Sequence, residues 1–319
     1  MAKHSEDPNR DLGFGAVVAR ESRQRLLNRD GSFNVVREGL SPLASMSLYH
    51  DLLSLSWPRF LGLIVLFYLT TNAAFAAAFV ACGPGALTGT SAVTLSGRYS
   101  EAFFFSVHTF ATIGYGSMSP RSTAANVLVT LESLVGLLGF ALATGILFSR
   151  FSRPNANILY SKTAVIAPYR GITAFEFRVA NARSNQIIEL EARLLLGWHP
   201  PGKAGRDFFR LKLERTKVEF FPLSWTIVHP IDQESPLWGA TPEQLRAGNA
   251  EFLILLTGID ETFSQSVHSR SSYKPDEVTW GARFVNIFNP PRPDGVLSID
   301  IGRLDEIEPA PLPRTAGTP

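Results

Sequence analysis

The sequence predicts a chain of two parts: a membrane α-helical domain, with two transmembrane helices plus a re-entrant helix, and a cytoplasmic immunoglobulin-like β-sandwich domain. Three observations carry this. Residues 60–82 and 124–148 hold one formal charge between them, Glu132. Residues 99–110, an aromatic run, lie between those stretches and are too short to cross a bilayer. After Pro154 the apolar pattern changes to period two.

The composition agrees. Of 319 residues 45% are hydrophobic and only 18% are charged, against about 25% in ordinary soluble domains. The single cysteine, Cys82, rules out an intrachain disulfide or a C-x-x-C centre. A net charge of +2 gives no footprint for nucleic acid. The histidines lack metal-ligand spacing, and P-loop, G-x-S-x-G, H-E-x-x-H and G-x-G-x-x-G motifs are absent. No enzyme, enzyme substrate or cofactor is expected.

The first stretch would make a helix about 34 Å long at 1.5 Å per residue, against a hydrocarbon core about 30 Å thick. Polar residues before it argue against a cleaved signal peptide. Lys3, Arg10, Arg20, Arg23, Arg25, Arg29, Arg37 and Arg59 precede it, and Arg150, Arg153 and Lys162 follow the second stretch; only Arg98 and Arg121 lie between. The positive-inside rule then places both termini in the cytoplasm of a multi-pass cell (inner) membrane protein. Residues 43–56, with Met46, Tyr49, Leu52, Leu53 and Ser56 at helical spacing, read as a helix in the cytoplasmic interface turned inward at Trp57-Pro58, or as an ordinary surface helix.

Residues 83–98 read as an exposed loop and 99–110 as the re-entrant helix. Thr112, Ile113, Gly114, Tyr115 and Gly116 follow. A cation that sheds its water needs replacement oxygens, and successive backbone carbonyls supply them if the chain adopts unusual dihedrals at alternate positions, which glycine permits. This is the TVGYG type of potassium filter with Ile for Val. One such strand cannot surround an ion, so a fourfold ring of chains is implied. On the second span Phe140, Thr144 and Phe148 share a face that lines a conduit, with Phe148 as a dewetting gate, or packs on a neighbour. Gly136, Gly139 and Gly145 serve close packing or bending. Glu132 is a functional intramembrane acid or a structural bond behind the filter.

In the second half, residues 172–179, 186–196, 207–221, 251–257 and 277–288 read as strands, and Thr241-Pro-Glu-Gln starts a short capped helix ended by Gly248. Short strands between Pro/Gly turns suggest the sandwich. The expected parts are a cytoplasmic N-terminal segment (1–42), an interfacial helix with the two-span pore domain (43–153), the β-sandwich (154–305) and a disordered Pro-rich tail (306–319).

From about residue 40 to 305 the sequence resembles the prokaryotic inward-rectifier potassium channels, the KirBac family. The matching stretches are SWP at 56–58, EAFFFSVHTFATIGYG at 101–116, VGLLGFALATGILFSRFSRP at 135–154, VANARSNQIIELEARL at 179–194, HPIDQESPLWG at 229–239, GIDET at 258–262 and HSRSSY at 268–273. The resemblance implies a homotetramer conducting K+ through residues 112–116, its sandwiches extending the conduit. It also implies that Glu189, Asp260 and Glu261 border the cytoplasmic conduit, solvated surface being the other reading. Arg59, Arg150, Arg153 and Lys162 form an anionic-lipid site or a simple topology anchor. Three positions depart from the family: Phe140 replaces the acid that traps polyamines, His108 replaces a pore-helix Glu, and Ser117 replaces an outer Asp. His108 supports the filter, as a pH-sensitive group or as a neutral hydrogen-bonded one. A weakly selective cation channel and a membrane-anchored ligand sensor with a non-conducting pore are the alternatives.

Overall fold

Ser56, Trp57 and Pro58 start the first long helix for a local reason. Ser56 is extended, and Pro58 falls in the first turn, where its missing N–H costs nothing and its fixed φ suits a helix. Beyond Arg59 no charge interrupts the run to Cys82. The computed structural model describes Gly13 and residues 24–35, 48–152, 157–182, 186–199, 205–221 and 223–313. Two compact units emerge: residues 38–153, and residues 1–37 together with 154–319.

The first unit runs α1 (Leu48–Ser54), α2 (Trp57–Ala81), β1 (Leu87–Thr88), α3 (Leu95–Phe110), β2 (Ser119–Pro120) and α4 (Thr123–Phe151). Both α2 and α4 are long and apolar enough to cross a membrane. Leu61, Val65 and Leu66 on α2 and Leu134, Leu138 and Leu142 on α4 stand exposed, a surface suited to lipid or to other copies of the chain. The loop expected to reach residue 98 ends earlier. Thr94 accepts a hydrogen bond from the Gly97 N–H and caps α3 at Leu95. Strands β1 and β2 pair Leu87 with Pro120 and Thr88 with Ser119, closing the segments on either side of α3. Inside, Phe79 meets Phe105 edge to face at 5.2 Å, and Ala76, Ala102 and Ala125 let the three helices approach. Met46, part of the expected interfacial helix, lies outside the described residues.

The second unit is built from β3 (Ile158–Tyr160), β4 (Ala164–Tyr169), β5 (Ile172–Asn181), β6 (Ile187–Trp198), β7 (Asp207–Leu211), β8 (Lys217–Phe221), β9 (Ser224–Ile231), α5 (Pro242–Ala247), β10 (Glu251–Asp260), β11 (Gln265–Tyr273), β12 (Val278–Trp280), β13 (Ala282–Phe284) and β14 (Ile307–Pro309). One sheet is ordered β11-β10-β6-β7 with β8 also on β6; the other is β12-β4-β5-β3 with β9 also on β5. Phe175 of one sheet stacks on Phe252 of the other at 4.1 Å, and Phe177, Tyr273, Leu194 and Ile254 complete a dry core. Helix α5 carries the expected capping box of Thr241 and Gln244.

Two expected strands are divided. Within 207–221 the chain leaves its sheet between β7 and β8, where the Glu214 N–H bonds Val228 of the other sheet. Within 277–288 Gly281, at φ +69°, turns the chain from β12 into β13. The tail is a correction: β14 pairs with β13, and the Ala310 N–H bonds the Gly281 carbonyl at 2.8 Å. The reason is the outer face of β4, whose Val165 and Ala167 are covered by Ala282, Phe284 and Ile307. Residues 314–319 lie outside the described residues.

The N-terminal segment is not a part by itself. Arg25 forks onto Glu277 at 3.1 and 3.0 Å, and the N–H groups of Leu26 and Leu27 bond the buried Glu251 carboxylate at 3.0 Å. Arg206 and Lys274 face the same carboxylate at 3.6 and 3.5 Å.

Candidate ion pathway

Helix α3 ends at Phe110, and the chain that follows, residues 111–117, is exposed and folds back on that last turn. The N–H groups of Ile113 and Gly114 both point to the His108 carbonyl, at 2.8 and 3.4 Å, and the Thr112 N–H bonds the Thr109 carbonyl at 3.1 Å. From there φ is +56° at Thr112, +60° at Gly114 and +79° at Gly116. A chain that returns to the left-handed region at every second residue swings successive carbonyls toward one side. Thr112 is β-branched, so its left-handed φ costs about 1–3 kcal/mol. The sequence reading assigned that conformation only to the glycines.

The side chains between, Ile113 and Tyr115, are both exposed in the single chain. Tyr115 is 74% exposed in the single chain, and its ring meets the His108 ring edge to face at 4.9 Å. His108 therefore touches residues 113–115 twice, by its carbonyl and by its ring. Glu101, unremarked in the sequence, accepts from the Ser91 N–H and hydroxyl and the Ala92 N–H, fixing the outer loop to α3. Glu132 is fully buried, and the Ser106 hydroxyl lies between its carboxyl group and Asn72 Oδ1, 3.0 Å away. Asn72 and Ser106 are ordinary polar residues in apolar runs, and no sequence signal marked them.

Along α4, Phe140, Thr144 and Phe148 lie on one uncovered face, with the two rings 74% and 71% exposed. Phe140 and Thr112 border a cavity of about 470 Å³ with Phe67, Tyr68 and Phe110. The glycines differ. A Cβ on Gly136 would come within 2.8 Å of the Phe110 carbonyl oxygen, and one on Gly139 within 3.3 Å of the Phe67 ring. Gly145 has open space, so close packing explains the first two and not the third.

The basic residues do not form one equivalent set. Arg59 and Lys162 are exposed, with Lys162 paired to Asp305 at 3.1 Å. Arg153 lies outside the described residues. Arg150 is committed within the chain: its two Nη groups donate to the Leu52 and Leu55 carbonyls, both at 2.6 Å.

In the sandwich, Glu189 sits at φ +53° in a bulge of β6 opposite Gly258, which aims its side chain outward to Lys217 at 3.1 Å. That carboxylate holds the Lys217 ammonium above its usual range. Asp260 requires a correction. It is 1% exposed, and its Oδ1 accepts the Thr262 and Phe263 N–H groups and holds a turn, so the side chain is buried and does not border a conduit. Glu261 is exposed. Among the described residues no group of three His, Cys, Asp or Glu side chains could hold a metal ion.

The chain matches known proteins over most of its length. Residues 158–318 match the inward rectifier potassium channel C-terminal domain, and residues 62–153 match the ion channel family. The chain is 45% identical to an inward rectifier potassium channel, Kirbac3.1, of Paramagnetospirillum magnetotacticum, over 92% of this chain and 99% of that one. It is 31% identical to the human G protein-activated inward rectifier potassium channel 3, over 92% of this chain and 80% of that protein. It is 27% identical to the human ATP-sensitive inward rectifier potassium channel 11, over 98% and 84%.

Proposed function

The chain is a member of the inward-rectifier potassium channel family, a membrane protein and not an enzyme, and on that premise we propose that four copies surround one conduit, with residues 112–116 of each as its filter. The observation that carries this is the left-handed φ at 112, 114 and 116. Four strands of that kind present stacked rings of carbonyl oxygens, with the Thr112 hydroxyl as the innermost ring, in place of the hydration shell of K+. The ion passes down its gradient and no bond is made or broken.

Below the filter, Phe140, Thr144 and Phe148 line the wall, and four Phe148 rings close it by excluding water. Glu189 and Glu261 border the cytoplasmic continuation. Both termini lie in the cytoplasm of the inner membrane. Arg59 and Lys162 attract anionic headgroups, while Arg150 transmits the position of the interfacial helix to α4. His108 braces Tyr115 from behind.

Purified protein in liposomes tests the reading. Potassium-driven rubidium uptake that barium blocks and sodium does not match is the expected result. Equal sodium flux makes the channel weakly selective, and no flux under any lipid composition leaves a ligand sensor with a non-conducting pore.

A further inference from the structure

The three helices of the first unit meet at one buried polar point whose hydrogens can be counted. Asn72 on α2 donates through Nδ2 to the Tyr68 carbonyl at 2.7 Å, which fixes its amide so that Oδ1 faces Ser106 on α3 at 3.0 Å. The Ser106 oxygen also contacts Oε1 of Glu132 on α4. A serine hydroxyl has one hydrogen. If Ser106 gave it to Glu132, two bare oxygens, Ser106 Oγ and Asn72 Oδ1, would face each other. If Ser106 gives it to Asn72, the hydrogen toward Glu132 must come from Glu132.

A second observation agrees. Glu132 Oε2 is buried with no hydrogen-bond partner, and no cation reaches the carboxyl group among the described residues. A carboxylate with one bare oxygen at a fully buried position is far more costly than a neutral acid with a bare carbonyl. The other titratable groups nearby on the packed helices are engaged elsewhere: the Tyr68 ring on Phe110, Glu101 on Ser91 and Ala92, and the His108 ring on Tyr115.

We propose that Glu132 is a neutral carboxylic acid that donates to Ser106, which donates to Asn72, so that one directed chain of hydrogen bonds fastens the filter helix between the two spanning helices. Glu132 is a positioning residue: it touches no ion and acts through α3, whose end carries residues 112–116. The flux arm of the test rests on the channel reading above; the spectroscopic arm does not.

The experiment is an infrared difference spectrum of the full channel in lipid at neutral pH, wild type against Glu132→Gln. The expected result is a protonated-carboxyl C=O band, present in the wild type and lost in the variant. Loss of carboxylate bands instead overturns the proposal. In the second arm Glu132→Ala lowers rubidium flux about tenfold, and Glu132→Gln, whose amide N–H can still donate to Ser106, restores most of it. A Gln variant as poor as Ala overturns the fastening role. A wild type that conducts nothing defeats the channel reading, while the infrared band still decides the proton.

Discussion

The guanidinium of Arg150 lies 4.8 Å from the centroid of the Trp57 ring and spends both Nη groups on two carbonyls shortly before that residue, those of Leu52 and Leu55. The Phe60 ring faces the same guanidinium at 4.5 Å. The C-terminal end of α4 thus grips the end of α1, where helix carbonyls run out of intrahelical N–H donors. Arg150→Lys keeps the charge and loses the planar fork, a link of about 1.5–3 kcal/mol. It is expected to change rubidium flux as much as Arg150→Gln does. Wild-type flux in the Lys variant, lost only in the Gln variant, would show that charge toward headgroups is the role instead.

Gly114 and Gly136 should fail for different reasons when changed to Ala. At Gly114 there is room for a methyl group, but φ +60° places it in the left-handed region, at about 1–2 kcal/mol in each of four chains. Selective flux should be lost while the assembled protein stays intact on a sizing column. At Gly136 the methyl would press on the Phe110 carbonyl oxygen, so the thermal midpoint should fall. Gly145→Ala, with open space and better helix propensity, should raise or preserve it. Equal midpoints for the two α4 variants would contradict the packing described.

Phe140 and Thr112 line the same cavity. With no acid there, spermine should block weakly and with little voltage dependence. Phe140→Asp adds four carboxylates in the proposed ring and should bring strong block. Strong block of the wild type would show that Phe140 has been misassigned.

The sandwich carries two opposed pH responses. Burial holds the His229 imidazole below its ordinary 6.5, with one nitrogen on the Lys212 carbonyl and the other on Ser235. The unfolded chain then binds the extra proton first, so this contribution is present above pH 6.5 and is lost as pH falls below it. Burial pushes Glu176 up to about 7, so its contribution is present below its usual 4.5 and is lost as pH rises through 7. Unfolding midpoints between pH 5 and 7 should show His229→Gln removing a rise with pH and Glu176→Gln removing a fall with pH. Unchanged slopes in both would refute the assignment.

What was legible in the sequence was local or periodic. The spans followed from uncharged length, and α5 from its capping box. Relationships made by distant partners were not legible. Gln265–Tyr273 is polar enough to pass for a loop, yet it pairs along its whole length with Glu251–Asp260. Asn72 and Ser106 gain meaning only when three helices bring them to Glu132. Asp260 read as a loop acid beside Glu261, but its turn draws the carboxylate inward while its neighbour stays outside.

The most direct measurement is anomalous diffraction from crystals of the full channel grown in rubidium. A file of rubidium peaks is expected on a fourfold axis, level with the carbonyls of residues 112–115 and the Thr112 hydroxyl. An axis empty of ions at that level, or one filled by side chains such as Tyr115, would contradict the proposed filter.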